Sequence, residues 1–242
     1  MRIIIEKDYE AMSKRAAEEM AKVIKEKSNC VLGLATGGTP VAMYKELIKM
    51  YNEGKLDFSK VLSINLDEYR GLSGDHPQSY RYFMNTNLFN HININKENTF
   101  VPNGMAEDAE SECKAYDHRI KQVGGIDIQL LGIGPNGHVG FNEPDECLDM
   151  NTHVTSLKKS TIEANARFFQ SIDEVPKEAL TMGLGGIMKA KKILLIASGE
   201  NKAQVIAKLA SGKITTKVPA TLLQVHPDVT IIVDEEAASL IK

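Results

Sequence analysis

The feature that most constrains this chain is an alternation of strand-like and helix-like segments running from one end to the other. Ile3 to Ile5 is a short apolar run, and behind it Ala16, Met20, Val23 and Ile24 recur at helical spacing. Val31 to Leu34 has the look of a short buried strand, and Pro40 opens a helix whose Val41, Tyr44, Leu47 and Ile48 share a face, with proline near the first turn. Val61 to Leu66, Thr99 to Val101, Ile126 to Leu131, Ile193 to Ala197 and Val229 to Val233 continue the strands. Helices are expected from about Ser79 to Asn90, Glu107 to Val123, Ile162 to Phe169 and Lys202 to Leu209. Strands that alternate with helices form a parallel sheet with both faces covered. The expectation is therefore an α/β chain, one three-layer α/β/α domain over residues 1–242 with a mainly parallel sheet.

Composition narrows the partners. Of 242 residues, 43% are hydrophobic and 25% charged, and 29 Lys plus Arg against 32 Asp plus Glu give a net charge of -3. No global positive field recommends nucleic acid or an anionic membrane, so any binding of a polyanion must be local. Cys30, Cys113 and Cys147 are odd in number and lack CxxC spacing, which argues against a disulfide framework and a zinc site and for a reducing, cytoplasmic setting. The opening MRIIIEKDYE turns acidic too soon for a signal peptide, and no apolar run reaches the length of a membrane span.

Two glycine-rich breaks follow strands, where sites gather in open α/β sheets. In Leu34-Ala35-Thr36-Gly37-Gly38-Thr39-Pro40, the backbone N–H groups of a strand-to-helix turn lie beside the positive end of a helix, an arrangement that suits an anion. A tight turn that binds nothing is the alternative, and the two flanking threonine hydroxyls favour phosphate. Gly33 to Gly38 has the glycine spacing of a P-loop, but Thr39-Pro40 replaces the required Lys and Ser/Thr. Gly132 to Gly137 is a literal G-x-G-x-x-G. Its sequel holds Gly140, Asn142 and Pro144 and opens a helix poorly, and Lys158 and Lys159 stand where a ribose-binding carboxylate is needed. Neither nucleotide class is expected.

The acid–base candidates fall into two groups. Asp67 and Glu68 in Asn65-Leu66-Asp67-Glu68-Tyr69 close a strand, where they either face the crevice or form a solvated acidic turn. Asn136, His138 and Glu143 lie within eight positions on one irregular loop, where a carboxylate can fix the tautomer of a histidine and raise its basicity. Loop packing is the plainer role for that histidine, and a metal would need more ligands than the neighbourhood has. Arg167 and Lys202 lie near strand ends, as surface charges or as cations within reach of a bound phosphate.

LGLATGGTP, NLDEYRGL with the following HPQSYRYFM, GIGPNGHVGFNEP, ANARFF and GENKA come in order along nearly the whole chain, and in them it resembles the glucosamine-6-phosphate deaminase family. The resemblance implies a modified Rossmann-like sheet and conversion of glucosamine 6-phosphate and water to fructose 6-phosphate and ammonia in amino-sugar catabolism. It implies Asp67 as the base that moves a proton between C2 and C1 through an enolamine. His138 would open the pyranose ring, with Glu143 oriented against it. Thr36, Gly37, Gly38, Thr39, Arg167 and Lys202 would contact the sugar and its phosphate. It implies no cofactor and no metal.

Two departures from the family stand out. Many members carry aspartate where this chain has Asn136, which can orient the His138 ring by hydrogen bonding but cannot act as a carboxylate. Members controlled by N-acetylglucosamine 6-phosphate use a Ser-Ser pair and basic residues after FNEP and a longer tail. Here Glu146, Cys147, His153 and Thr155 occupy that stretch and the sequence ends at Lys242. The expectation is an enzyme without that control, monomer or homo-oligomer, with a hexamer less favoured. The rivals are a 6-phosphogluconolactonase, which has no need of the Asp67 base, and a non-catalytic sugar-phosphate-sensing domain, which would need a DNA-binding module ahead of Arg2.

Overall fold

The computed structural model describes residues 1–158, 162, 163, 166, 169 and 171–241. Seven strands form one parallel sheet: β1 (Arg2–Glu6), β2 (Val31–Leu34), β3 (Leu62–Asn65), β5 (Thr99–Phe100), β6 (Ile128–Leu131), β9 (Lys192–Ala197) and β10 (Val229–Asp234), in the order β1-β10-β9-β6-β2-β3-β5. Their sequences are near-continuous apolar runs such as ILLIA in β9, as both faces of the sheet are covered. Leu32, Leu34, Ile64, Leu130, Leu195 and Ile231 are almost wholly buried.

The chain steps one way across the sheet from β2 to β3 to β5, and the other way from β6 to β9 to β10. Right-handed crossovers then place α1 (Tyr9–Glu26) and α2 (Val41–Asn52) on one face. They place α4 (Ala109–Gln122) on the other, together with α6 (Ala203–Leu209), which follows the short α5 (Leu184–Met188). The two longest helices start where the sequence supplies a cap. Asp8 accepts from the Ala11 N–H at 2.8 Å, and Asp108 from that of Ser111 at 3.1 Å.

A second sheet was not legible in the sequence. After β3 the chain bends at Leu66 and continues as β4 (Asp67–Tyr69), which pairs antiparallel with β8 (Glu178–Thr181), itself paired with β7 (His153–Ser156). The expected strand Val61 to Leu66 is thus Leu62–Asn65, and Asp67 belongs to a separate strand rather than to its tail. A hydrogen bond from the Met182 N–H to the Leu66 carbonyl, 2.7 Å, ties the two sheets at that bend. The region after residue 148 contributes β7. Of the expected helix from Ile162 to Phe169, only Ile162, Glu163, Ala166 and Phe169 are among the described residues. No helix among the described residues is long and apolar enough to cross a membrane.

Candidate active site

The reversal of strand order falls between β2 and β6, where the loops leaving the carboxyl ends of the strands diverge and open a crevice. A cavity of about 350 Å³ lies there. It is lined by Thr36, Gly37, Gly38 and Thr39 after β2, Asp67 after β3, Asn136 and His138 after β6, and Lys202 after β9. Four adjacent parallel strands therefore deliver residues far apart in sequence to one place. Glu143 stands behind this wall, bonded to Asn136. Arg167 lies outside the described residues.

Asp67 is 7% exposed, and burial together with the neighbouring Glu68 charge pushes its carboxyl up to about 8. No hydrogen bond from the described residues offsets that burial. Glu68, 2% exposed, is also raised by burial, but three backbone N–H groups and the Arg81 charge oppose the shift. Of the two roles open to this stretch, the solvated acidic turn is the one the structure discards: both carboxylates are buried, one at the cavity and one behind it. Gly140, at φ +59°, lets the loop after β6 pass close to this carboxyl. A Cβ there would lie 3.0 Å from Thr181 Oγ1 and 3.5 Å from Asp67 Oδ2.

The loop from Gly132 to Pro144 holds no helix. It is closed by its own backbone, with Gly134 N–H donating to the His138 carbonyl at 3.0 Å and Gly137 N–H to that of Gly134 at 2.9 Å. The imidazole lies on the Gly134 backbone so closely that a Cβ at residue 134 would stand 2.3 Å from His138 Cε1. The middle glycine of the G-x-G-x-x-G therefore makes room for the imidazole. Buried Nδ1 of His138 faces Glu143 Oε1 at 3.4 Å. Asn136 donates through Nδ2 to Glu143 Oε2 at 2.6 Å and accepts the His138 N–H at 3.2 Å. It bonds the carboxylate and the backbone, leaving the imidazole untouched.

At the other end of the cavity Gly37 and Gly38 are exposed, and none of the described residues accepts from the N–H groups of Gly37, Gly38 or Thr39. Asp234, at the end of β10, accepts from the Ser198 hydroxyl and from the Gly199 N–H at 3.0 Å, which fixes the turn that carries Lys202. Lys202 Nζ donates to the Ile133 carbonyl at 2.8 Å and borders the cavity. A row of backbone donors facing a lysine can take an anion. Among the described residues no three His, Cys, Asp or Glu side chains gather into a metal-holding group.

Sequence reasoning missed Tyr80 and Phe141, which also line the cavity. Their rings are stacked, 6.1 Å apart with 11° between planes, and Tyr69 packs 4.8 Å from Tyr80. The HPQSYRYFM segment was the available signal, since it places Tyr80 at the start of a capped helix, α3 (Tyr80–Asn87).

A family model for glucosamine-6-phosphate isomerases/6-phosphogluconolactonase matches residues 6–232. The chain belongs to this family. The glucosamine-6-phosphate deaminase of Clostridium perfringens (strain 13 / Type A) is 72% identical over 242 residues, the whole of both chains. That of Thermoanaerobacter pseudethanolicus (strain ATCC 33223 / 39E) is 64% identical over 241 residues, 100% of this chain and 95% of the relative. A solved structure described as a monomeric glucosamine-6-phosphate deaminase superposes with a TM-score of 0.97 at 49% identity, covering 99% of this chain and 100% of the other. Within the family, the fold read from the alternating sequence is the fold observed.

Proposed function

We propose that the cavity at the strand-order reversal is where this chain acts as a glucosamine-6-phosphate deaminase, taking glucosamine 6-phosphate and water to fructose 6-phosphate and ammonia. The observation that carries the reading is the convergence on one cavity of a buried carboxyl without hydrogen-bond partners among the described residues, a histidine backed by a carboxylate, and a glycine turn facing a lysine. A lactonase would leave the first of these idle.

The phosphate sits on the N–H groups of Gly37, Gly38 and Thr39 with Lys202 beside it, remote from the reacting carbons, so its binding energy positions the sugar. His138, with Nδ1 turned to Glu143, offers Nε2 to the ring. It takes the proton from O1 and returns one to O5 as the C1–O5 bond breaks, leaving an open-chain aldehyde. Asp67 then removes the C2 proton, O1 is protonated, and the enolamine receives a proton at C1. Water adds to the resulting C2 iminium and ammonia leaves, giving the ketose.

Burial suits Asp67 to this task. In the free cavity it favours the neutral carboxyl, while the substrate's C2 ammonium favours the carboxylate when it arrives alongside. A base of raised pKa then accepts a proton from carbon more readily. The exposed Glu146 and Cys147 do not suit a second phosphate site, and we read the enzyme as free of control by N-acetylglucosamine 6-phosphate, with less reason to be a hexamer.

Purified protein with glucosamine 6-phosphate, with EDTA and without nucleotide, is expected to release ammonia along a hyperbolic rate curve. Absence of ammonia overturns the reading. A sigmoid that N-acetylglucosamine 6-phosphate sharpens into a hyperbola overturns the claim about control.

A further inference from the structure

We propose that Glu68 is a positioning residue for the reaction: its buried carboxylate joins β4 to the first turn of α3, holding Tyr80 against the cavity and setting a second carboxylate beside Asp67. The proposal rests on the reading of Asp67 as the base.

Successive residues of a strand point to opposite faces. Asp67 therefore turns to the cavity, and Glu68 turns away from it toward α3. There its Oε1 accepts from the N–H of Tyr69 and of Tyr80, each at 2.9 Å, and its Oε2 from the N–H of Arg81 at 3.0 Å. Tyr80 and Arg81 are the first two residues of α3, whose N–H groups have no partner within the helix. The helix already has a cap of its own, since Ser79 Oγ accepts from the Tyr82 N–H at 3.0 Å. A second, fully buried anion from a distant strand exceeds what capping alone requires, because burying a carboxylate is costly. What the extra anion does is lock the backbone of Tyr80, whose ring borders the cavity, to the residue next to the base.

The other groups around Asp67 leave this charge dominant. Tyr69 on its own strand, Tyr80 from α3 and Tyr116 from α4 all have phenols raised by burial and stay neutral, and His138 faces it across the cavity. The Arg81 guanidinium is directed at Thr99, donating to Oγ1 at 2.7 Å and to the carbonyl at 2.8 Å. Glu68 is thus the like charge that disfavours ionisation of Asp67 and strengthens it as a base once ionised.

The test compares pH profiles of ammonia release for wild type, Glu68→Gln and Glu68→Asp. In Glu68→Gln the acid limb of kcat/KM is expected to move down by about one pH unit, with kcat lowered about tenfold and KM little changed. Glu68→Asp keeps the charge on a shorter arm, so its limb is expected to stay in place while kcat falls. A Glu68→Gln limb coincident with wild type overturns the proposal, whatever happens to stability. If Glu68→Gln does not fold, ¹³C NMR titration of the side-chain carboxyls in wild type decides. Coupled titration of Asp67 and Glu68 above the ordinary carboxylate range supports the proposal, and two independent ordinary titrations overturn it. That titration does not depend on turnover, so a wild type that releases no ammonia counts against the proposed activity alone.

Discussion

The two ends of the cavity are built in opposite ways. At the acid–base end Asp67 and Glu143 are nearly buried, 7% and 8% exposed, and His138 is wedged against the Gly134 backbone. At the anion end Gly37 and Gly38 are open to solvent, and the donors among the described residues include main-chain N–H groups and Lys202. Proton transfer at carbon needs a desolvated base held in one place, whereas a phosphate arrives hydrated and needs only oriented donors and charge. Changes at the first end should therefore fall on kcat, and changes at the second on KM.

The sharpest way to break this contrast without touching a polar group is Gly134→Ala. The new Cβ would overlap the imidazole, so His138 must shift by about an ångström, and kcat is expected to fall about 100-fold with KM nearly constant. Retained kcat would mean that the ring's seat is unimportant. Lys202→Ala removes a charge-assisted contact worth roughly 1.5–3 kcal/mol, so KM should rise about 10- to 100-fold with kcat changed far less, as steady-state kinetics would read. A dominant loss of kcat would erase the distinction between the two ends.

The burial of Asp67 also has a signature in stability. Its folded pKa, about 8, lies above the unfolded value near 3.8, so its contribution to stability is whole below pH 3.8 and is lost as pH rises through 8. Asp67→Asn, which carries no charge at any pH, should therefore gain stability over wild type from about pH 4 upward and hold a constant gain above 8. Denaturant melts of both proteins at pH 4, 6 and 9 would register this, and an advantage of the Asn variant over wild type no larger at 9 than at 4 would contradict it. The smallest effect is a shift of the acid limb of kcat/KM itself, which should rise with pH through the Asp67 range because the base must be ionised.

How far the sequence could be read follows the same division between environments. The strands of the parallel sheet were legible because burial on both faces makes them unbroken apolar runs, as in Ile193 to Ala197. The three-stranded sheet was not, since DEY, HVTS and EALT are three or four residues long, and DEY carries two carboxylates that only tertiary packing buries. Asp67 could be found from its place after a strand, and the glycine turn from its bond-forming backbone. The difference between Asp67 and Glu68 could not, because it depends on which face of β4 each presents and on a helix that begins twelve positions beyond Glu68. Asn136 likewise acquires its partner, Glu143, only through the closure of the loop after β6.

Asp67 is proposed as the group that takes the proton from C2. Incubating Asp67→Asn and wild type with glucosamine 6-phosphate in deuterium oxide and following the C2 hydrogen by NMR tests it most directly. The account predicts that exchange and turnover fall together by about 10²- to 10⁴-fold in the variant while the phosphosugar still binds. Exchange at the wild-type rate in Asp67→Asn would contradict it.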